Sequence, residues 1–126
     1  ATTDADASQT LAICAARAAS DLKATDILIL DVGTLLSITG YFVIASASNP
    51  RQVRAVVDDI EAKVKAELHR SPVRTEGIRE QQWTLIDYGD VVVHVFLDSV
   101  REFYEIERLY MDAPRVEWAL PVLDAD

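Results

Sequence analysis

A single cysteine, Cys14, leaves no partner for an internal disulfide, and with only two histidines in the chain there is little from which to build a zinc site. Cys14 falls in an apolar helical pattern and reads as a buried thiol. No run of about 20 apolar residues is present to span a bilayer, and no basic start leads into a long apolar core, so neither a membrane helix nor a signal peptide is expected. The expected location is the cytoplasm. Positive charge is scarce: 12 Lys and Arg stand against 21 Asp and Glu, giving a net charge of -9 and a pI near 4.6. That balance disfavours nonspecific attraction to nucleic acid phosphate or to an anionic membrane, and favours a basic partner. Repeats and low-complexity segments are absent. A chain of 126 residues suits one domain that buries roughly two-thirds of its unfolded surface.

The stretch Trp83 to Phe96, WTLIDYGDVVVHVF, announces the architecture. Two apolar runs flank Asp87-Tyr88-Gly89-Asp90, which predicts an antiparallel hairpin with Gly89 free to take positive φ. In the second run Val91, Val93, Val95 and Leu97 fall on one face and Val92, His94 and Phe96 on the other, so both faces are apolar and the strand is expected at the centre of a sheet. Before it, residues 1–7 are small and acidic and predict a frayed tail. Ser8 or Thr10 then caps a helix whose Leu11, Ala12, Ala15, Ala16, Ala19 and Leu22 form one face. Ile27 to Val32 reads as an interior strand, and a connection through residues 33–39 leads to a second strand, Tyr41 to Ser46. Asn49 and Pro50 open a helix with a Val53, Val56, Val57, Ile60, Val64 and Leu68 stripe. Val73 to Gly77 suggests a short edge strand. Ser99-Val100-Arg101-Glu102 has the form of a capping box and predicts a last helix to about Tyr110, with Val100, Phe103, Ile106 or Glu107, and Tyr110 on its buried face. Residues 8–114 thus form a single α/β domain, and residues 115–126 a C-terminal tail. Val116, Trp118, Leu120, Val122 and Leu123 in that tail must lie on this domain or on a neighbouring copy.

The expected fold is a mixed β-sheet flanked by helices, and its element order resembles the nucleotidyltransferase topology, so a nucleotide-binding enzyme is the alternative to weigh. Such enzymes hold metal-nucleotide with carboxylates two apart on a strand, because that spacing points both to one side. Here Asp4/Asp6 and Asp124/Asp126 lie in tails, Asp59/Glu61 and Glu105/Glu107 on helices, and Asp31 is alone on its strand. Asp87 and Asp90 are near enough in a turn to share a cation or act as an acid/base pair, or else each bonds turn amides. His94 has no second histidine nearby and reads as a core imidazole. Ser46-Ala47-Ser48-Asn49, at a helix start, offers backbone N–H groups to a phosphate but has neither a glycine-rich loop nor a following lysine. No cofactor is expected.

DLKATDILILDV (Asp21 to Val32), YFVIASASN with RQV (Tyr41 to Val53), Glu76-Gly77, WTLIDYGDVVVHVF, and REFYEIERLY with DAP (Arg101 to Pro114) together resemble the ribosomal silencing factor family, also called iojap-related. The resemblance covers about residues 10–114. It departs at Gly40, where the family usually has Asp, at Ala47, where Gly is usual, and at Tyr110, where Trp is frequent. It implies a non-catalytic factor that binds ribosomal protein L-fourteen on the large subunit, obstructs subunit joining and lowers translation, and that forms homodimers when free. The residues agree with a basic protein partner. From Glu76 to Asp112 nine acids stand against three arginines, with Trp83, Tyr88, Phe103, Tyr104 and Tyr110 interleaved. Direct nucleic acid contact would call for clustered Lys and Arg instead. Trp83, Asp87, Tyr88, Asp90, Arg101, Tyr104 and Tyr110 are the candidate contact residues.

Overall fold

The computed structural model describes residues 4–33 and 39–119. Its elements are α1 (Asp4–Asp21), β1 (Thr25–Asp31), β2 (Tyr41–Ala47), α2 (Pro50–Leu68), β3 (Arg74–Glu76), β4 (Trp83–Asp87), β5 (Val91–Leu97) and α3 (Asp98–Tyr104), then a 3₁₀ turn over Ile106–Tyr110. The strands form one mixed sheet in the order β1-β2-β5-β4-β3. β5 is central, parallel to β2 and antiparallel to β4. A parallel pair needs a long crossover, and α2 with the β3–β4 hairpin supplies it.

Side-chain alternation decides what each face meets. Val91, Val93 and Val95 of β5, Val43 and Ala45 of β2 and Ile86 of β4 are buried together beneath α1 and α2. α1 contributes Ala12, Ala15, Ala16 and Ala19, whose small side chains let its backbone lie close to the sheet. It starts at Asp4, inside the segment expected to fray, since nothing from Asp4 to Ala7 breaks a helix and alanine is the strongest helix former. Lys23 ends it in the left-handed region at φ 68°. α2 begins as its sequence dictates: the Asn49 side chain accepts from the Gln52 N–H at 2.8 Å, and Val53, Val56, Val57, Ile60 and Val64 are buried. Each such side chain stabilises the fold by roughly 1.5–3 kcal/mol relative to exposure.

The hairpin turns on two residues. The Tyr88 N–H donates to the Val91 carbonyl at 2.9 Å, and Gly89, the first residue of the connection, has φ 91°, as a type II′ turn requires. Gly77 is held more tightly. At φ 81° it lies so near the carbonyl of Trp83 that a Cβ would come within 2.1 Å of that oxygen.

The last helix departs from expectation. Leu97, not Ser99, occupies the N-cap position without a side-chain bond, and the helix breaks at Glu105 in a left-handed conformation (φ 44°, ψ 50°). Arg101 points inward and is 7% exposed. Two residues further along a helix is about 200° of rotation, so an inward Arg101 turns Phe103 out to solvent. Phe103 is accordingly 79% exposed rather than on the buried face. What draws Arg101 inward is a bulge in β1: the register shifts between Thr25 and Leu28, Asp26 takes φ 50°, and its carbonyl accepts from Arg101 Nη1. The same Nη1 bonds Ser46 Oγ at 2.7 Å, and Nε pairs with Glu107 at 3.3 Å.

The start of the expected tail belongs to the fold. Residues 114–118 run along β1, where the Asp31 N–H donates to the Pro114 carbonyl and the Val116 N–H to the Ile29 carbonyl. Trp118 Nε1 donates to the Ile27 carbonyl at 3.1 Å, and Arg17 Nε donates to the Trp118 carbonyl at 2.9 Å. Val116 and Trp118 therefore pack on their own domain. Leu120, Val122 and Leu123, residues 1–3, and residues 34–38 of the connection before β2 lie outside the described residues.

Candidate functional site

Among the described residues the second sheet face is covered only in part. α3 and the 3₁₀ turn lay Val100, Ile106 and Tyr110 over Leu30, Phe42, Ile44 and Phe96. Register sets what stands beside that cover. Trp83 is opposite Phe96, Leu85 opposite His94 and Asp87 opposite Val92, while Phe42 pairs with Val92 on the other side. An aromatic band results. Trp83 stacks on Phe96 at 4.6 Å between centroids and meets Tyr104 at 5.1 Å, and Phe42 makes edge contacts with His94 at 4.9 Å and Tyr110 at 5.2 Å. Phe103 stands edge-on to Tyr104 at 5.0 Å. Tyr104, Phe103, Leu109 and Met111 are exposed.

Of the seven sequence candidates, Trp83, Tyr104 and Tyr110 join this band. Asp87 shares their sheet face; one carboxylate oxygen accepts the Gly89 N–H at 2.7 Å and the other pairs with Arg74 at 3.2 Å. Tyr88 does not belong. It is 2% exposed beneath the helical layer, where burial, and then the charge of Glu61, push its hydroxyl above the ordinary range. Arg101 is likewise withdrawn by the bulge it satisfies. Asp90 faces the helical layer and closes a clasp. Arg70 reaches its two oxygens at 2.7 and 3.0 Å, Ser8 Oγ donates at 2.6 Å, and Arg70 also bonds the Tyr88 carbonyl. Burial alone would raise the Asp90 pKa, but the Arg70 and Ser8 hydrogen bonds outweigh it and the net shift is down. Asp87 and Asp90 thus serve separate partners and do not converge on one cation.

Other candidates resolve by contact. The Ser48 N–H donates to Gln52 Oε1 at 2.8 Å and the Gln52 N–H to Asn49, so these amides at the start of α2 are engaged within the chain. Cys14 is half-buried rather than buried, and desolvation raises its pKa. Among the described residues no group of three His, Cys, Asp or Glu converges to hold a metal, and no helix is long and apolar enough to cross a membrane. Sequence reasoning passed over Leu109 and Met111 as surface elements; they come outward because the helix breaks at Glu105.

Known proteins carry the same pattern. A family profile described as "Ribosomal silencing factor during starvation" matches residues 5–125. The ribosomal silencing factor RsfS of Bacillus subtilis is 41% identical over 101 residues, covering 79% of this chain and 84% of its own. The chloroplastic protein Iojap of Zea mays is 40% identical over 108 residues, covering 84% of this chain, which spans only 46% of the maize protein. A crystal structure of a Chromobacterium violaceum protein superposes with a TM-score of 0.78 at 34% identity, covering 92% of this chain and 95% of that one. A Bacillus halodurans crystal structure does so at 0.73 and 35%, covering 86% and 98%. The chain, an α/β protein built on a mixed five-stranded sheet, belongs to the ribosomal silencing factor family of RsfS and iojap, whose members are ribosome-associated factors and not enzymes.

Proposed function

We propose that this chain silences ribosomes by steric exclusion, seating its aromatic face on a basic protein of the large ribosomal subunit, ribosomal protein L-fourteen, and so standing in the path of the small subunit. The observation that carries this reading is the aromatic band on the half-covered sheet face, with Tyr104, Phe103, Leu109 and Met111 exposed at its margin. Rings of this kind supply contact area at low entropic cost, and the acidic residues on and around α3 and the 3₁₀ turn, Glu102, Glu105 and Asp112, steer a basic surface toward them. The contact residues are Trp83, Asp87, Tyr104 and Tyr110 from the sequence, joined by Phe103. We read the chain as one α/β unit of nucleotidyltransferase-like topology that works in the cytoplasm and pairs as a homodimer when free.

Co-sedimentation with purified large subunits tests the contact. Tyr104→Ala and Phe103→Asp should each weaken binding about tenfold or more, in line with aromatic anchors at interfaces, and should restore subunit joining on a sucrose gradient. Arg54→Ala, on the solvated side of α2, should change nothing. Wild-type affinity in both aromatic variants would reject this face as the contact.

A further inference from the structure

Within the aromatic band His94 carries an unfinished bond. Its ring is 5% exposed on the central strand, and Trp83 Nε1 lies 3.2 Å from its Nδ1. An indole nitrogen only donates, so Nδ1 accepts and bears no proton, and the neutral ring holds its proton on Nε2. Among the described residues that N–H has no hydrogen-bond partner. Buried donors are nearly always satisfied, and an exception asks for a reason. Beside it the ring helps to line a cavity of about 370 Å³, walled by Thr39, Phe42, Leu85, Gly89 and Val92 and by the Arg74–Asp87 pair, and the buried Thr39 hydroxyl likewise has no hydrogen-bond partner among the described residues. This cavity sits on the part of the sheet that α3 leaves open.

We propose that the cavity beside His94 is a socket within the docking face, and that it receives an uncharged oxygen acceptor of the docked protein, a carbonyl or hydroxyl on an otherwise apolar group, which takes the hydrogen bond from Nε2. This rests on the reading of the face as a protein-docking surface and adds the chemistry of one subsite to it. Phe42, Leu85 and Val92 select for the apolar part, and the Thr39 hydroxyl gives the cavity a second polar point beside Nε2. The charges select against a carboxylate, because Arg74 is already paired with Asp87, and a second anion would lose its water beside an existing one. A cationic group is excluded at Nε2 itself, which offers a proton and no lone pair. Nε2 is covered in the free protein, so docking must move a neighbouring side chain before the acceptor reaches it. Rotamer changes of that size are ordinary at interfaces.

The test uses the full chain and purified large subunits as the probe, comparing His94→Leu, which removes the donor at similar volume, with His94→Gln, which retains an N–H donor. Binding should weaken about tenfold in the leucine variant and stay within about threefold of wild type in the glutamine variant. Equal weakening in both would show that ring packing, not the donor, matters, and would overturn the proposal. Unchanged binding in both, with Tyr104→Ala still weakened, would overturn the socket and leave the docking face standing. Unchanged binding in all three would remove the face and the socket together. Leu85→Trp gives an independent reading that leaves His94 intact: it fills the cavity and should weaken binding about tenfold, and wild-type affinity there would likewise end the proposal.

Discussion

Acidification should destabilise this protein through the buried ring of His94. Burial pushes the His94 pKa down from 6.5 to about 4, whereas in the unfolded chain the ring titrates near its ordinary value. Between those two values the unfolded state binds a proton that the folded state refuses, so stability falls as pH falls. Above about pH 6.5 the effect vanishes, and below about pH 4 both states are protonated and nothing further is lost. Integrating between about pH 7 and about pH 5 gives a loss of about 2 kcal/mol from this group alone, a large share of the stability ordinary for a domain of this size. Urea unfolding at several pH values in that interval measures it, and His94→Gln, which does not titrate, isolates it. Wild type should lose about 2 kcal/mol more than the variant, or roughly 6–10 °C in Tm. Parallel stability curves for the two proteins would refute the reasoning, since they would mean that the imidazole is as free to take a proton in the fold as out of it.

Arg101→Met should destabilise the fold by about 3 kcal/mol in urea unfolding, because it strips partners from the bulged Asp26 carbonyl, from Ser46 Oγ and from Glu107 together. A loss under about 1 kcal/mol would mean that the bulge does not depend on this side chain. Gly77→Ala should cost at least about 2 kcal/mol, combining a positive-φ penalty with displacement of the Trp83 carbonyl, and should alter Trp83 fluorescence in the folded state. Asp90 has a lowered folded pKa, so the stabilisation from its clasp is complete above the unfolded value of 3.8 and disappears as pH falls through the folded one. Circular dichroism melts across that acid range should show a step in wild type that Asp90→Asn lacks.

The parts of the fold that were legible in sequence are those where local chemistry and long-range packing agree. Asn49-Pro50 caps α2 as written, and the alternation of Val91 to Leu97 places β5 at the centre. α3 was misread because its sequence contains a plausible capping box and stripe, while the deciding interaction is Arg101 with a carbonyl 75 residues away. No local pattern announces a β-bulge whose freed carbonyl needs a guanidinium. Of the candidate contact residues, those on β4 and its turn were legible in composition and not in orientation: period two along β4 sends Trp83, Leu85 and Asp87 to one sheet face and leaves Tyr88 with Thr84 and Ile86 under the helices. That sorting was available from alternation alone once the connection was known to be Gly89-Asp90, since a two-residue turn keeps Tyr88 in phase with the strand. The bond from Trp83 to His94 Nδ1 was not available, because it depends on how the two rings turn across the strands.

The segment 114–118 has a consequence for how copies of this protein can meet. By bonding the Asp31 N–H and the Ile29 carbonyl it occupies the outer rim of β1 with the chain's own backbone, and the opposite rim offers only the three residues of β3, two of them the charged Arg74 and Glu76. Templated strand addition, the common route from a soluble sheet to fibrils, therefore finds little purchase at either rim. Among the described residues, contact with another molecule is left to side chains on the broad surfaces, where geometry can be selective.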